Sequence, residues 1–312
     1  MDKPMKFAIS SHLPGMTLEE EAPILQQNGY TAWEIGLPVL ELRAKTRSIE
    51  QLREEARRIK RIGDDHGIVA EAVGVGLTPR HMTADIGYVR QVFELVRETG
   101  GTGVRMSGVH YNDPPAPPAQ LAGMDDVCAS YHRGTVRFHE LFAESRELLA
   151  RMASEAHAYG VRLLLEIHPY YIHNSPSAML RLIEHCSPAD VGALLDPQGL
   201  AMQGHEGSKQ SVDVLRYYTA HIHVKDSYLT KNDAGKRQHG KTPLWEGTTQ
   251  WPLFVATVKW TGFDGYWFDE DFRGVGIEEK LKTKRYLEKL WAEAPEEPDP
   301  VFCRKCFMEH FG

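Results

Sequence analysis

The chain has 312 residues, 42% of them hydrophobic and 25% charged, which suits a folded protein with a sizeable core. A formal net charge of −7 argues against a surface built for nucleic acid or an anionic membrane, since those need clustered Lys and Arg. No apolar run approaches the ~20 residues of a membrane helix. The opening MDKPMKFAISSH has no signal-peptide core, and Cys128, Cys186, Cys303 and Cys306 are too scattered for a disulfide framework, so the expected compartment is the cytoplasm.

Short β-like runs alternate with amphipathic helical stretches from end to end. The pattern predicts strands over 5–11, 31–37, 67–74 and 101–108, then over 161–169, 191–197, 220–227 and 265–272. Thr17 with Glu20, and Ser48 with Gln51, read as capping boxes at helix starts. Gly29 and Gly67 read as helix stops, and Asn174-Ser175-Pro176 opens a further helix with Pro near its first position. Repeated strand–helix alternation predicts a parallel sheet, and eight repeats predict closure. The expected fold class is therefore α/β, a single (β/α)8 TIM barrel over residues 1–292 that forms the catalytic domain, with 293–312 as a C-terminal tail. An open doubly wound sheet is the alternative, but no glycine-rich phosphate fingerprint follows the first strand.

Two connections are long, 109–134 and 228–249. Both follow a strand, which in a barrel puts them on the face where active sites are built, and they read as structureless lids or binding loops. The tail contains Cys303-Arg-Lys-Cys306, half of a zinc-site spacing with no second pair, which favours packing or an interface over metal.

The chemistry concentrates on the last four predicted strands. Each ends in a side chain able to bind metal: Glu166, Asp196, His223 and Glu270. Residues two apart in a strand face the same way, so Leu164, Glu166 and His168 share a face. So do His221, His223 and Lys225, and likewise Tyr266, Phe268 and Glu270. If these faces point inward, three carboxylates and several His converge at the C-terminal mouth. Buried carboxylates need a cationic partner, and a divalent ion suits three oxygen ligands and one imidazole. That set favours Mn²⁺, with Mg²⁺, Co²⁺ or Zn²⁺ as alternatives. Taken singly, each carboxylate reads equally well as a surface group or a helix cap, and each His as a satisfied core residue.

The segments VRLLLEIHP, VGALLDPQGLAMQGHE, AHIHVKDS and GFDGYWFDEDF resemble the xylose isomerase-like TIM barrel superfamily, whose members include sugar phosphate isomerases and epimerases and endonuclease IV. The resemblance runs over about residues 5–290 and is strongest from 145 to 272; WEG at 245–247 is similar to a G-E-G segment common there. It implies that Glu166, Asp196, His223 and Glu270 bind one divalent metal. It also implies that Glu166 and Glu270 flank a sugar and exchange protons beside a metal-bound carbonyl, through an enediolate. One departure is Gly199, where many members carry His or Asn three residues after the strand-six Asp. His205, on the following helix, is no evident substitute.

His168 reads as a second acid/base or as a residue that orients its loop. Glu34, Arg105, Lys225 and Trp245 are candidate substrate contacts, with His110 behind them. Glu34 and Arg105 read equally as members of a structural ion pair, and Lys225 as a partner of Asp226. The leading functional expectation is a metal-dependent sugar isomerase or epimerase. The alternative is a lyase on a keto-sugar with the same metal site, either an inosose-type dehydratase or the large subunit of a C-glycoside deglycosidase. The expected partner is a small sugar or keto-sugar, with no nucleic acid and no membrane. A homo-oligomer is expected, or a hetero-oligomer with a small subunit for a deglycosidase. An endonuclease IV-like role lacks its D-x-H in SYLTKNDAGKRQHG, and a barrel without catalysis would serve only as a binding module.

Overall fold

The computed structural model describes residues 4–109, 137–169, 171–203, 206–235 and 237–311. His110, His205 and most of the 109–134 connection lie outside the described residues. Eight parallel strands close into a barrel: β1 Lys6–Ile9, β2 Tyr30–Gly36, β3 Val69–Gly74, β4 Gly103–Met106, β5 Arg162–Glu166, β6 Val191–Leu195, β7 Thr219–Val224 and β10 Tyr266–Asp269. β1 closes the ring against both β2 and β10, with Ile9 opposite Asp269. Apart from β2, the strands are shorter than the runs that announce them. The predicted (β/α)8 TIM barrel is the observed architecture, and helices alternate with the strands in sequence.

Local signals set the helix ends. Thr17 and Ser48 each accept a backbone N–H from the third helical residue, and Glu20 and Gln51 return the bond, so helices Leu18–Gln27 and Ile49–His66 begin at full capping boxes. Gly67 ends the second at φ +64, a left-handed conformation that costs glycine no Cβ clash. Ser175 caps helix Pro176–Ile183, with Pro at its first turn.

Two layers of side chains follow. Ile9, Trp33, Val104, Leu163, Leu195, Ile222 and Trp267 face the helices in the main core. Ala8, Ala32, Ala72, Leu164, Leu194, Ala220 and Phe268 fill the barrel interior as a separate apolar plug. The interior of such a barrel is a packed core rather than a pore, so anything charged must sit above or below this plug.

The 228–249 connection is not the structureless loop its length suggests. It contains an antiparallel hairpin, β8 Asp226–Lys231 and β9 Arg237–Thr242, with Tyr228 opposite Gly240. Asn232 shapes the turn: its side chain accepts the Ala234 N–H at 3.1 Å, its carbonyl accepts the Gly235 N–H at 2.8 Å, and Gly235 takes φ +73. The tail forms a helix, Pro300–Phe311, lying against helix Trp251–Trp260. There Phe302 stacks edge-on to Trp260, and the Trp260 indole N–H donates to the Pro295 carbonyl at 2.7 Å. Among the described residues, no helix is long and apolar enough to cross a membrane.

Candidate metal centre in the barrel mouth

Strand periodicity lifts the charged residues just clear of the plug. Leu164 lies in the plug and Glu166 follows two residues later at the end of β5; Phe268 lies there and Glu270 follows β10. His223 sits on β7 directly beside Phe268. Glu34, Glu166, Asp196, His223 and Glu270 are all buried, at 5% exposure or less. So many buried charges persist only if each has a partner.

The partners are specific. His223 Nδ1 lies 2.9 Å from Glu166 Oε1 and 3.0 Å from Glu270 Oε2, while its Nε2 lies 2.8 Å from Glu34 Oε2. Arg105 bonds Glu34 Oε1 at 3.0 Å and also donates to Glu166. Lys225 donates to Glu270, lies 3.2 Å from Asp196 Oδ2 and is 3.9 Å from Glu166. The other oxygen of Asp196 accepts the Gly199 N–H at 3.0 Å, which makes this carboxylate the cap of helix Pro197–Gln203.

This wiring sets the charge states. Burial alone would raise the Glu166 carboxyl, but His223, Arg105 and Lys225 hold it well below the usual carboxylate range. Burial likewise opposes ionisation of Glu270, yet His223 and Lys225 bring it down to about 2. Asp196 goes the other way: burial raises it, and Lys225 only partly offsets burial and two neighbouring glutamates. Burial disfavours the cationic forms of His223 and Lys225, but the surrounding carboxylates raise both. Lower in the barrel His221 stays neutral, with burial and Arg162 pushing it down to about 3.

Glu166, His223 and Glu270 each offer a ligand atom, and these atoms lie within 4.8 Å of one another. Such a group could hold a metal ion. The histidine supports the fit: Nδ1 faces both glutamates while Nε2 is tied to Glu34, the arrangement in which a metal-bound imidazole is oriented by a carboxylate on its second nitrogen. Asp196 is not part of this three-residue group; it reaches it through Lys225.

Residues 23–292 match the model of a family described as xylose isomerase-like TIM barrel. The chain belongs to this family. No curated protein matches the chain. Similar solved structures include 3-keto-D-glucoside 4-epimerase, YcjR, from E. coli, at 13% identity over 92% of this chain and 100% of that one, with a TM-score of 0.64. The IOLI protein with a bound zinc atom is 17% identical over 93% and 99%, also at 0.64. The probable 3-DHS dehydratase AsbF from Bacillus anthracis is 14% identical over 93% and 100%, at 0.61. At these identities the likeness is one of fold.

The other candidates have definite places. Glu34 and Arg105 join the cluster as partners of His223 and Glu166. Lys225 turns toward Asp196 and Glu270 and not toward Asp226. Asp226 instead accepts the N–H groups of Ser227, Thr248 and Thr249 and the Trp251 indole, the last at 2.8 Å. His168 is half-buried beyond Glu166; its Nδ1–H donates to the Pro169 carbonyl at 2.8 Å and its ring packs 5.1 Å from Tyr171. Trp245 is 42% exposed and meets Tyr286 edge-on. Sequence reasoning did not foresee that Glu34 orients His223, nor that Asp226 is an anchor. Phe272 was also missed: it is 51% exposed beyond Glu270, with Lys225 and Lys241 near its ring.

Proposed function

We propose that this chain is a divalent-metal-dependent sugar isomerase or epimerase that moves a proton at the carbon beside a carbonyl. The observation that carries the reading is the buried cluster of Glu166, His223 and Glu270 above the plug. In this reading Glu166, His223 and Glu270 hold one divalent ion, Mn²⁺ by preference, and Asp196 completes the set. The bound ion would supply positive charge to a substrate oxygen and so acidify the neighbouring C–H.

The remaining work falls to the chain's own residues. Glu166 and Glu270 are held ionised by His223 and Lys225, and in this reading they are the groups that exchange the proton. Glu166 ends β5 and Glu270 follows β10, three strands away around the ring, and in this reading one removes the proton from the sugar carbon and the other returns it. Arg105 fixes the position of Glu166, and Glu34 fixes the ring of His223. Burial strips water from both glutamates, which strengthens every charge interaction there. Lys225 and Trp245 are assigned to substrate, Lys225 through a sugar oxygen and Trp245 by stacking on a ring.

A second reading keeps the site but ends in cleavage of a keto-sugar, as in a dehydratase or the large subunit of a deglycosidase with a small partner subunit. His168 favours it, because a second imidazole stands at the same strand end, and with Nδ1–H committed to Pro169 its other ring nitrogen would, when protonated, give the proton to a leaving group. The test is incubation with Mn²⁺ and a panel of keto-sugars in D₂O, followed by NMR and mass spectrometry. Deuterium beside the carbonyl in an isomerised product supports the first reading. Loss of water or release of an aglycone supports the second. No exchange and no product across the panel, with or without Mn²⁺, would sink both.

A further inference from the structure

Among the described residues, the most completely buried lysine is not in the mouth. Lys280, on helix Ile277–Glu293, is 1% exposed, and its ammonium donates to Asp269 Oδ1 at 2.7 Å and to Ser11 Oγ at 2.8 Å. Asp269 is the last residue of β10 and immediately precedes Glu270. Its main chain is clamped as well, because its carbonyl accepts the N–H groups of Ser10 at 2.9 Å and Ser11 at 3.0 Å. Its Oδ1 also accepts the Asp271 N–H at 3.2 Å, and the Glu270 N–H donates to the Val224 carbonyl at 3.0 Å.

We infer that the buried Lys280–Asp269 pair is a positioning device for Glu270, locking the end of β10 between β1, β7 and the following helix. This inference rests on the metal-site reading above. Burying an ion pair gains little stability over apolar residues of the same volume, so stability alone does not account for it. What the pair does supply is direction. A cation anchored in a helix pins the side chain of residue 269, Ser10 and Ser11 pin its carbonyl, and the next peptide is pinned to β7. Four bonds from three elements thus converge on the two residues that aim Glu270. Neither Lys280 nor Asp269 is among the residues assigned to metal or sugar, so both act through Glu270.

The test is Mn²⁺ binding by calorimetry on the full chain, beside melting curves without metal. Lys280→Met alone strands a buried carboxylate and endangers folding. The informative variant is therefore the double change Asp269→Asn with Lys280→Met, which removes both charges. A milder Ser11→Ala variant keeps the pair and removes one bond to the ammonium. The double variant is expected to fold and to bind Mn²⁺ at least 10-fold more weakly, the range typical of groups that orient metal ligands. Ser11→Ala is expected to lose roughly 3-fold, as a fraction of that effect. Lowered melting with Mn²⁺ affinity within 2-fold of wild type for both variants would overturn the inference and leave the pair purely structural. Should the double variant not fold, Ser11→Ala decides by the same criterion. Wild-type protein that binds no Mn²⁺ overturns the metal reading, and this inference with it.

Discussion

The barrel interior is two regions stacked along one axis. Below lies a plug of alanines, leucines and one phenylalanine; directly above it, buried as deeply, lie charged side chains held in a network. The same strands build both regions, and a step of two residues separates Leu164 from Glu166 and Phe268 from Glu270. The plug is held by packing and has no preferred ligand. The mouth is held by compensation of charge, which leaves several carboxylates ionised out of water. The contrast shows where this fold concentrates chemistry: at strand ends, on a foundation that makes those ends rigid.

That contrast can be broken experimentally. The largest effect is expected in the mouth. Glu166→Gln and Glu270→Gln should each lower deuterium exchange into a keto-sugar by about 10²–10⁴-fold, the range for a lost acid/base group, with circular dichroism unchanged. Wild-type turnover by both variants would remove the catalytic assignment. Next comes His223→Ala, which leaves Glu34, Glu166 and Glu270 facing one another without the imidazole. A loss of about 3–5 kcal/mol in urea unfolding is expected, together with loss of Mn²⁺ binding. The plug provides the counterpart: Leu194→Ala should cost about 2–5 kcal/mol through its cavity while Mn²⁺ affinity stays within about 2-fold. If that variant loses metal as His223→Ala does, the two regions are not separable. The mildest intervention leaves the sequence alone. Stripping divalent ions and adding back Mn²⁺ to about 100 times its Kd should raise stability by roughly 2.7 kcal/mol, read as a higher Tm. An unchanged Tm would favour a barrel that binds no ion.

Local rules made much of this legible beforehand. The eight strand positions followed from alternating patterns, the helix starts from Thr17 and Ser48, and the facing of Glu166, His223 and Glu270 from a period of two. Partnership across the barrel did not follow. Glu34 meets His223 from 189 residues away, a pairing set by ring closure that no window of sequence contains. Asp196 shows a second limit. A strand-end Asp reads as a ligand or as a cap, and here one oxygen caps a helix while the other meets Lys225. The hairpin within 228–249 did carry a signal, Asn and Gly in KNDAGK between polar runs, but its strands lack the apolar alternation that marks buried sheet.

Asp226 has a consequence beyond holding one loop. Its carboxylate receives Thr248, Thr249 and Trp251, so the excursion that leaves β7 returns to the point where it began. Gly247 completes the knot, since a Cβ there would come within 2.0 Å of that carboxylate. The segment is thus a closed cassette, tied at its neck and open at its tip. Chain can be added or removed between Lys231 and Arg237 without shifting either end, whereas any side chain at 247 unties it. A library randomised over 232–235 would therefore vary the tip on a frame whose neck stays fixed.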